Sequence, residues 1–113
     1  TGMEESKAKD KDVYNRTLIQ RIVQTILSYK FVEKIVLFGS RATSDYKNTS
    51  DIDIAIFAKE WTDKDINLMK HLLEEHLKTP LKFDVVNFYD IVKTTLRENI
   101  LKEGRVIYES REN

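Results

Sequence analysis

The chain has no cysteine, a single proline and three glycines among its 113 residues. Without cysteine there is no disulfide and no thiolate chemistry, which fits a reducing cytosol. Apolar runs are also short. None approaches the roughly 18 to 20 residues of a membrane-spanning helix, and no signal-peptide pattern is visible, so the expected location is cytoplasmic with no membrane partner. An excess of either charge is missing as well: Lys plus Arg and Asp plus Glu both number 19. No overall basic field exists to draw the protein onto nucleic acid, which argues against a nucleic-acid module. What is abundant is charge of both signs, 34% of residues, against the usual quarter or so. The length fits one compact domain with a single core.

Residues 1–12 are almost all charged or small, and the expectation is a disordered tail followed by one domain over 13–110. From Val13 the pattern changes. Leu18, Ile19, Ile22, Val23, Ile26 and Leu27 recur at three- and four-residue steps, which predicts an amphipathic helix over 12–29. Residues 31–38 are rich in β-branched and aromatic side chains and end at Gly39, which predicts a first strand. Residues 52–57 read as a second strand. Thr62 and Asp65 have the spacing of a capping box, with Trp61 as the staple residue before it, and the helix they open should run to about 78 before Pro80. A third strand over 81–88, a helix over 90–102 stopped by Gly104, and a short strand over 106–108 complete the pattern.

The most informative stretch is Gly39 to Asp53, G-S-R-A-T-S-D-Y-K-N-T-S-D-I-D. Alternate residues of a strand share a face, so Asp51 and Asp53 point the same way while Ile52, Ile54 and Ile56 point the other. The Gly-Ser pair ends one strand and D-x-D begins the next, so they meet only if the two strands are antiparallel. The helix after the second strand is long enough to return the third parallel to the second. Asp84, alone in the apolar run Phe83 to Val86, then falls beside Asp53. The fold class expected is a small mixed α/β sheet with helices packed on it.

A lone strand aspartate is ordinarily satisfied by a salt bridge, here from Lys82 or Arg41. Three converging aspartates behave differently. They repel one another unless a cation lies between them, and hard divalent cations take carboxylate oxygens. Two Mg²⁺ ions are a known solution for in-line displacement at phosphorus. In this reading Asp51 and Asp53 bridge the metals, while Asp84 serves the ion that binds the nucleophile and could accept its proton. Gly39 lets backbone amides approach phosphate oxygens, Ser40 adds a hydroxyl, and the Arg41 fork could pair with a triphosphate.

G-S-x10-D-x-D with a further aspartate on a later strand resembles the DNA polymerase β-like nucleotidyltransferase superfamily. The short chain resembles its minimal nucleotidyltransferase (MNT) members. The resemblance implies transfer of a nucleoside monophosphate from an NTP to a hydroxyl with release of pyrophosphate and use of Mg²⁺. Gly39, Ser40, Asp51, Asp53 and Asp84 match the functional positions. Minimal members commonly pair with a small helical HEPN protein as antitoxin and toxin. The resemblance thus implies ATP as substrate and a tyrosine of a HEPN-type toxin as acceptor.

Two other functions share the same fold: a non-catalytic module that neutralises a partner by contact, and a transferase acting on a small molecule such as an aminoglycoside. An oligomer is compatible with either. Outside the motif, His71 and His76 are five apart on the predicted helix, a poor spacing for one metal, and read as structural. Trp61 reads as a staple, Asp45 as a surface acid, and Tyr46 and Lys47 as a solvated loop or a contact to nucleotide or acceptor.

Overall fold

The computed structural model of the chain describes residues 2–38, 52–77 and 82–111, with side chains from residue 16 onward. Helix α1 (Gly2–Tyr29) leads into β1 (Lys34–Phe38) and β2 (Ile52–Phe57). Helix α2 (Asp63–Leu77) connects to β3 (Phe83–Asn87), and a 3₁₀ turn (Phe88–Asp90), helix α3 (Thr94–Glu103) and β4 (Arg105–Glu109) follow. The four strands form one sheet in the order β3-β2-β1-β4. β1 is antiparallel to both β2 and β4, and β2 is parallel to β3. The antiparallel and parallel pairings expected from the sequence are both present.

The two faces of the sheet are buried by different helices. Leu18, Ile22 and Ile26 of α1 and Met69, Leu73 and Leu77 of α2 pack on Ile35, Leu37, Ile52, Ile54, Ile56, Phe83 and Val85. On the opposite face Ile100 of α3 packs with Val36, Ala55, Phe57 and Phe88, and the Phe57 and Phe88 rings stack with centroids 4.3 Å apart. The alternation of Ile52, Ile54 and Ile56 with Asp53, Ala55 and Phe57 therefore divides β2 between two cores.

Helix α1 begins at Gly2, where the sequence reading sets a disordered tail over residues 1–12. Two Glu, three Lys and one Ala, half of residues 1–12, have high helix propensity. The third helix also starts later than expected, at Thr94 rather than residue 90. Asn87 accounts for the delay: its side-chain oxygen accepts the Tyr89 N–H at 3.2 Å and its amide donates to the Ala58 carbonyl at 2.6 Å, which closes a 3₁₀ turn first.

Gly104 ends α3, but not through a left-handed residue. Its φ of −68° and ψ of 148° are ordinary extended backbone. Glycine is required there by contact, because a Cβ would lie 2.2 Å from the Ile100 carbonyl oxygen and 2.4 Å from Val36 Cγ1. The close approach lets α3 turn directly into β4 against β1.

Candidate active site

Asp53 is the second residue of β2 and Asp84 the second of β3. The two are direct partners in the parallel register, and Asp53 is also opposite Phe38 across the antiparallel pair. All three belong to the alternation that includes Ala55 and Val86, the sheet face on which α3 packs. Toward the middle of the strands that face is closed by Ala55, Phe57 and Ile100. At the end where β1 finishes and β2 and β3 begin, Asp53 is half-buried and Asp84 exposed.

Asp84 is exposed although the residues around it in its strand are apolar. Its exposed side chain carries no penalty for burying a carboxylate. Among the described residues no lysine or arginine forms a salt bridge with it, so of the two ordinary partners Lys82 does not pair with it and Arg41 lies outside the described residues. Neighbouring carboxylates on adjacent strands favour a cation between them, and their hard oxygens fit Mg²⁺. Among the described residues no group of three metal-ligating side chains occurs. Asp51, the third expected ligand, lies outside the described residues, as do Gly39, Ser40 and Arg41. They flank the described end of β1 and the described start of β2 in the sequence.

The other candidate residues take structural positions. Trp61 is buried, its indole N–H donating to the Phe31 carbonyl at 2.9 Å and its ring edge-on to Tyr29 at 5.2 Å. The Thr62 hydroxyl accepts the Asp65 N–H at 3.4 Å while Asp65 Oδ2 accepts the Thr62 N–H at 2.8 Å, the reciprocal capping box expected. His71 and His76 are exposed; His76 Nδ1 is 3.0 Å from the Leu72 carbonyl and His71 is 3.7 Å from Glu75. Capping alone does not reveal that Tyr29 and Lys30 also bond to Asp65, with Lys30 Nζ at 3.0 Å. Tyr46 and Lys47 lie outside the described residues.

The described residues thus bring two acids side by side on the parallel strands of a mixed sheet. Residues 20–113 match the family model described as "Polymerase beta, Nucleotidyltransferase", and the chain belongs to that family. It is 37% identical to a Methanocaldococcus jannaschii protein provisionally designated protein adenylyltransferase MJ0604, over 68% of this chain and 79% of the relative. A second protein of that organism with the same designation, MJ0141, is 30% identical over 72% of this chain and 79% of its own length.

Solved structures share the fold. One is a toxin-antitoxin structure with AMP-PNP, with a TM-score of 0.69 at 20% identity, covering 82% of this chain and 74% of that one. Another is a complex of tri-AMPylated Shewanella oneidensis HEPN toxin with MNT antitoxin, with a TM-score of 0.68 at 19% identity over 85% and 73% of the two chains. No described helix is long and apolar enough to cross a membrane.

Proposed function

We propose that this chain transfers AMP from ATP to a tyrosine hydroxyl of a HEPN-type toxin and thereby acts as its antitoxin. The observation that carries the reading is the register of Asp53 with Asp84 on parallel neighbouring strands. The adenylyltransferase designation of the two archaeal relatives supports AMP transfer to protein. The AMPylated HEPN toxin in a complex of the same fold supports the kind of acceptor. Residues 13–110 form the transferase domain in this reading.

Asp51, Asp53 and Asp84 would hold two Mg²⁺ ions, which supply positive charge against the triphosphate and the leaving pyrophosphate. Asp84, exposed on the open end of the sheet, accepts the proton of the incoming hydroxyl. Asp53, half-buried between β1 and β3, is the more constrained of the two described acids and sets the position about which the others gather. Gly39 permits close approach of backbone N–H groups to phosphate oxygens, Ser40 contributes a hydroxyl, and Arg41 pairs with the phosphate tail. A cytoplasmic location follows for a protein that uses ATP on an intracellular toxin.

Incubation of the chain with labelled ATP, Mg²⁺ and a HEPN-type toxin as partner tests the proposal. Label should enter the partner, and an Asp53→Asn variant should abolish it. An unlabelled partner, or equal labelling by the variant, would overturn catalysis at this site. Complete neutralisation by a variant carrying Asp51→Asn and Asp53→Asn would instead show that contact suffices.

A further inference from the structure

Lys82 precedes β3 by one residue, yet its backbone already belongs to the ladder: the Ile52 N–H donates to the Lys82 carbonyl at 2.9 Å, one step before the Ile52–Phe83 pair of the parallel register. Alternation along an extended chain then puts the Lys82 side chain on the face of Asp84 and Val86. The same face takes Asp53 from β2 and Phe38 from β1. Two residues of strand span roughly 6.5 Å, so Lys82 stands one step beyond Asp84, past the end where β2 and β3 begin. Its flexible four-carbon stem can carry the ammonium back over much of that distance.

A lysine at the start of an outer strand is ordinarily a solvated guard against further pairing, and Lys82 is exposed, with β3 at one side of the order β3-β2-β1-β4. A guard has no need of a particular face. Lys82 shares its face with both described acids of the candidate site, and the strand order gives that site a direction. In the transferase reading the phosphate tail belongs with Gly39 and Ser40, which follow Phe38 in the sequence at the end of β1. Neighbouring strands are about 4.8 Å apart, so β3 lies roughly 9 to 10 Å from β1, with β2 between them. In-line displacement brings the attacking oxygen in opposite the leaving group. Pyrophosphate leaving on the β1 side therefore puts the incoming hydroxyl on the β3 side, with Asp84 and Lys82.

We propose that Lys82 is a catalytic residue on the acceptor side of the site, its ammonium donating to the oxygen of the incoming tyrosine hydroxyl while Asp84 takes the proton. This rests on the transferase reading above. The acceptor oxygen bonds to the α-phosphorus of ATP, the bond from that phosphorus to the oxygen bridging to the β-phosphorus breaks, and pyrophosphate leaves with the electron pair. The hydroxyl proton passes to the Asp84 carboxylate, and Lys82 stays an ammonium throughout. An oxygen that loses its proton becomes negative as it attacks, and a fixed positive donor beside it opposes that charge where it develops. A more acidic phenol gives a weaker base, which accepts a weaker hydrogen bond. The contribution of Lys82 therefore falls as the acceptor phenol becomes more acidic.

The test uses the full chain with labelled ATP, Mg²⁺ and a HEPN-type toxin whose tyrosines are either ordinary or replaced biosynthetically by the more acidic fluorotyrosine. Initial rates of AMP transfer are compared for the native chain, Lys82→Met and Lys82→Arg, with folding checked by melting curves. Lys82→Met should lose about a hundredfold in rate toward the ordinary acceptor, the usual effect of removing one donor to a developing oxyanion. Lys82→Arg keeps the charge and should retain more of the rate. With the fluorinated acceptor the ratio of native to Lys82→Met rates should shrink severalfold. A fluorescent ATP analogue with Mg²⁺ should bind Lys82→Met as tightly as the native chain, because the lysine serves the acceptor and not the nucleotide.

A native-like rate for Lys82→Met, equal losses in Lys82→Met and Lys82→Arg, an unchanged ratio with the fluorinated acceptor, or a loss of analogue binding as large as the loss of rate would each overturn the assignment. Asp53→Asn in the same series separates the two levels of failure. If the native chain transfers AMP, Asp53→Asn does not, and Lys82→Met does so at the native rate, the lysine assignment fails while the transferase reading stands. If the native chain transfers none, or Asp53→Asn matches it, the transferase reading fails and the assignment with it.

Discussion

Tyr29, the last residue of α1, donates its hydroxyl to the carboxylate of Asp65 in the first turn of α2. The same carboxylate takes Lys30 Nζ at 3.0 Å and the Thr62 N–H at 2.8 Å, so one acid ties two helices and caps one of them. The Tyr29 hydroxyl, the Thr62 N–H and Lys30 hold the Asp65 carboxyl well below the usual carboxylate range, while the Tyr29 phenol and Lys30 ammonium are pushed up by their bonds to it. α2 is the crossover that returns β3 beside β2. The cluster therefore anchors the element that makes Asp84 a neighbour of Asp53.

A carboxyl lowered by folding stabilises the native state above its unfolded pKa, and that stabilisation disappears as pH falls. A phenol raised by folding stabilises below its unfolded pKa and loses the effect as pH rises. The Tyr29–Asp65 contribution is accordingly full between the ordinary values of 3.8 and 10.0. Tyr29→Phe should lower the melting temperature by a constant amount across that window. The gap to the native chain should narrow below and above it. A gap that widens toward acid would contradict the arrangement.

Gly104→Ala should destabilise the fold by about 1 to 3 kcal/mol, the usual cost of forcing atoms into a packed site. The added methyl meets the Ile100 carbonyl and Val36, while the backbone dihedrals of Gly104 already suit alanine. Combining it with Val36→Ala should recover only part of the loss in a denaturant titration, because the carbonyl contact remains. A neutral Gly104→Ala would show that the approach of α3 to β1 is looser than 2.4 Å implies.

Asn87→Leu should cost about 2 kcal/mol or more, since it leaves the buried Ala58 carbonyl and the Tyr89 N–H without their partner. Urea unfolding monitored at Trp61, which is buried in the α1–α2 core, would read the change. The expected shift is in the midpoint with little change in slope.

Much of this architecture was legible in advance. The alternation at Ile52 to Phe57 specified a strand with two different faces, and the gap between Gly-Ser and D-x-D required β1 and β2 to be antiparallel. The crossover length then placed β3 parallel to β2 and Asp84 next to Asp53. Less visible were features set by contacts distant in sequence. Nothing local in Tyr29 or Lys30 announces Asp65, 36 and 35 residues away. The exposure of Asp84 is not announced by its apolar strand, and the 3₁₀ turn depends on Asn87 reaching Ala58 across 29 residues. Gly39, Ser40, Arg41 and Asp51 remain assigned by motif.

Metal and nucleotide should act on stability together. With the acids holding Mg²⁺ and ATP, ATP at about 100 times its dissociation constant in the presence of Mg²⁺ should raise native stability by about 2.7 kcal/mol. Either EDTA or Asp53→Asn should remove the shift without altering the melting temperature of the unliganded chain by a comparable amount. An undiminished ATP-dependent shift in EDTA would contradict a metal-bridged site.

The most direct measurement compares native chain, Asp53→Asn and Asp84→Asn for the initial rate of labelled AMP transfer to the HEPN-type partner, with folding of each checked by its melting curve. The account predicts that both variants fold like the native chain and lose transfer by about a hundredfold or more, as expected when a metal ligand or a proton acceptor is removed. Native-like rates for either folded variant would contradict the pairing of Asp53 and Asp84 as the reaction centre.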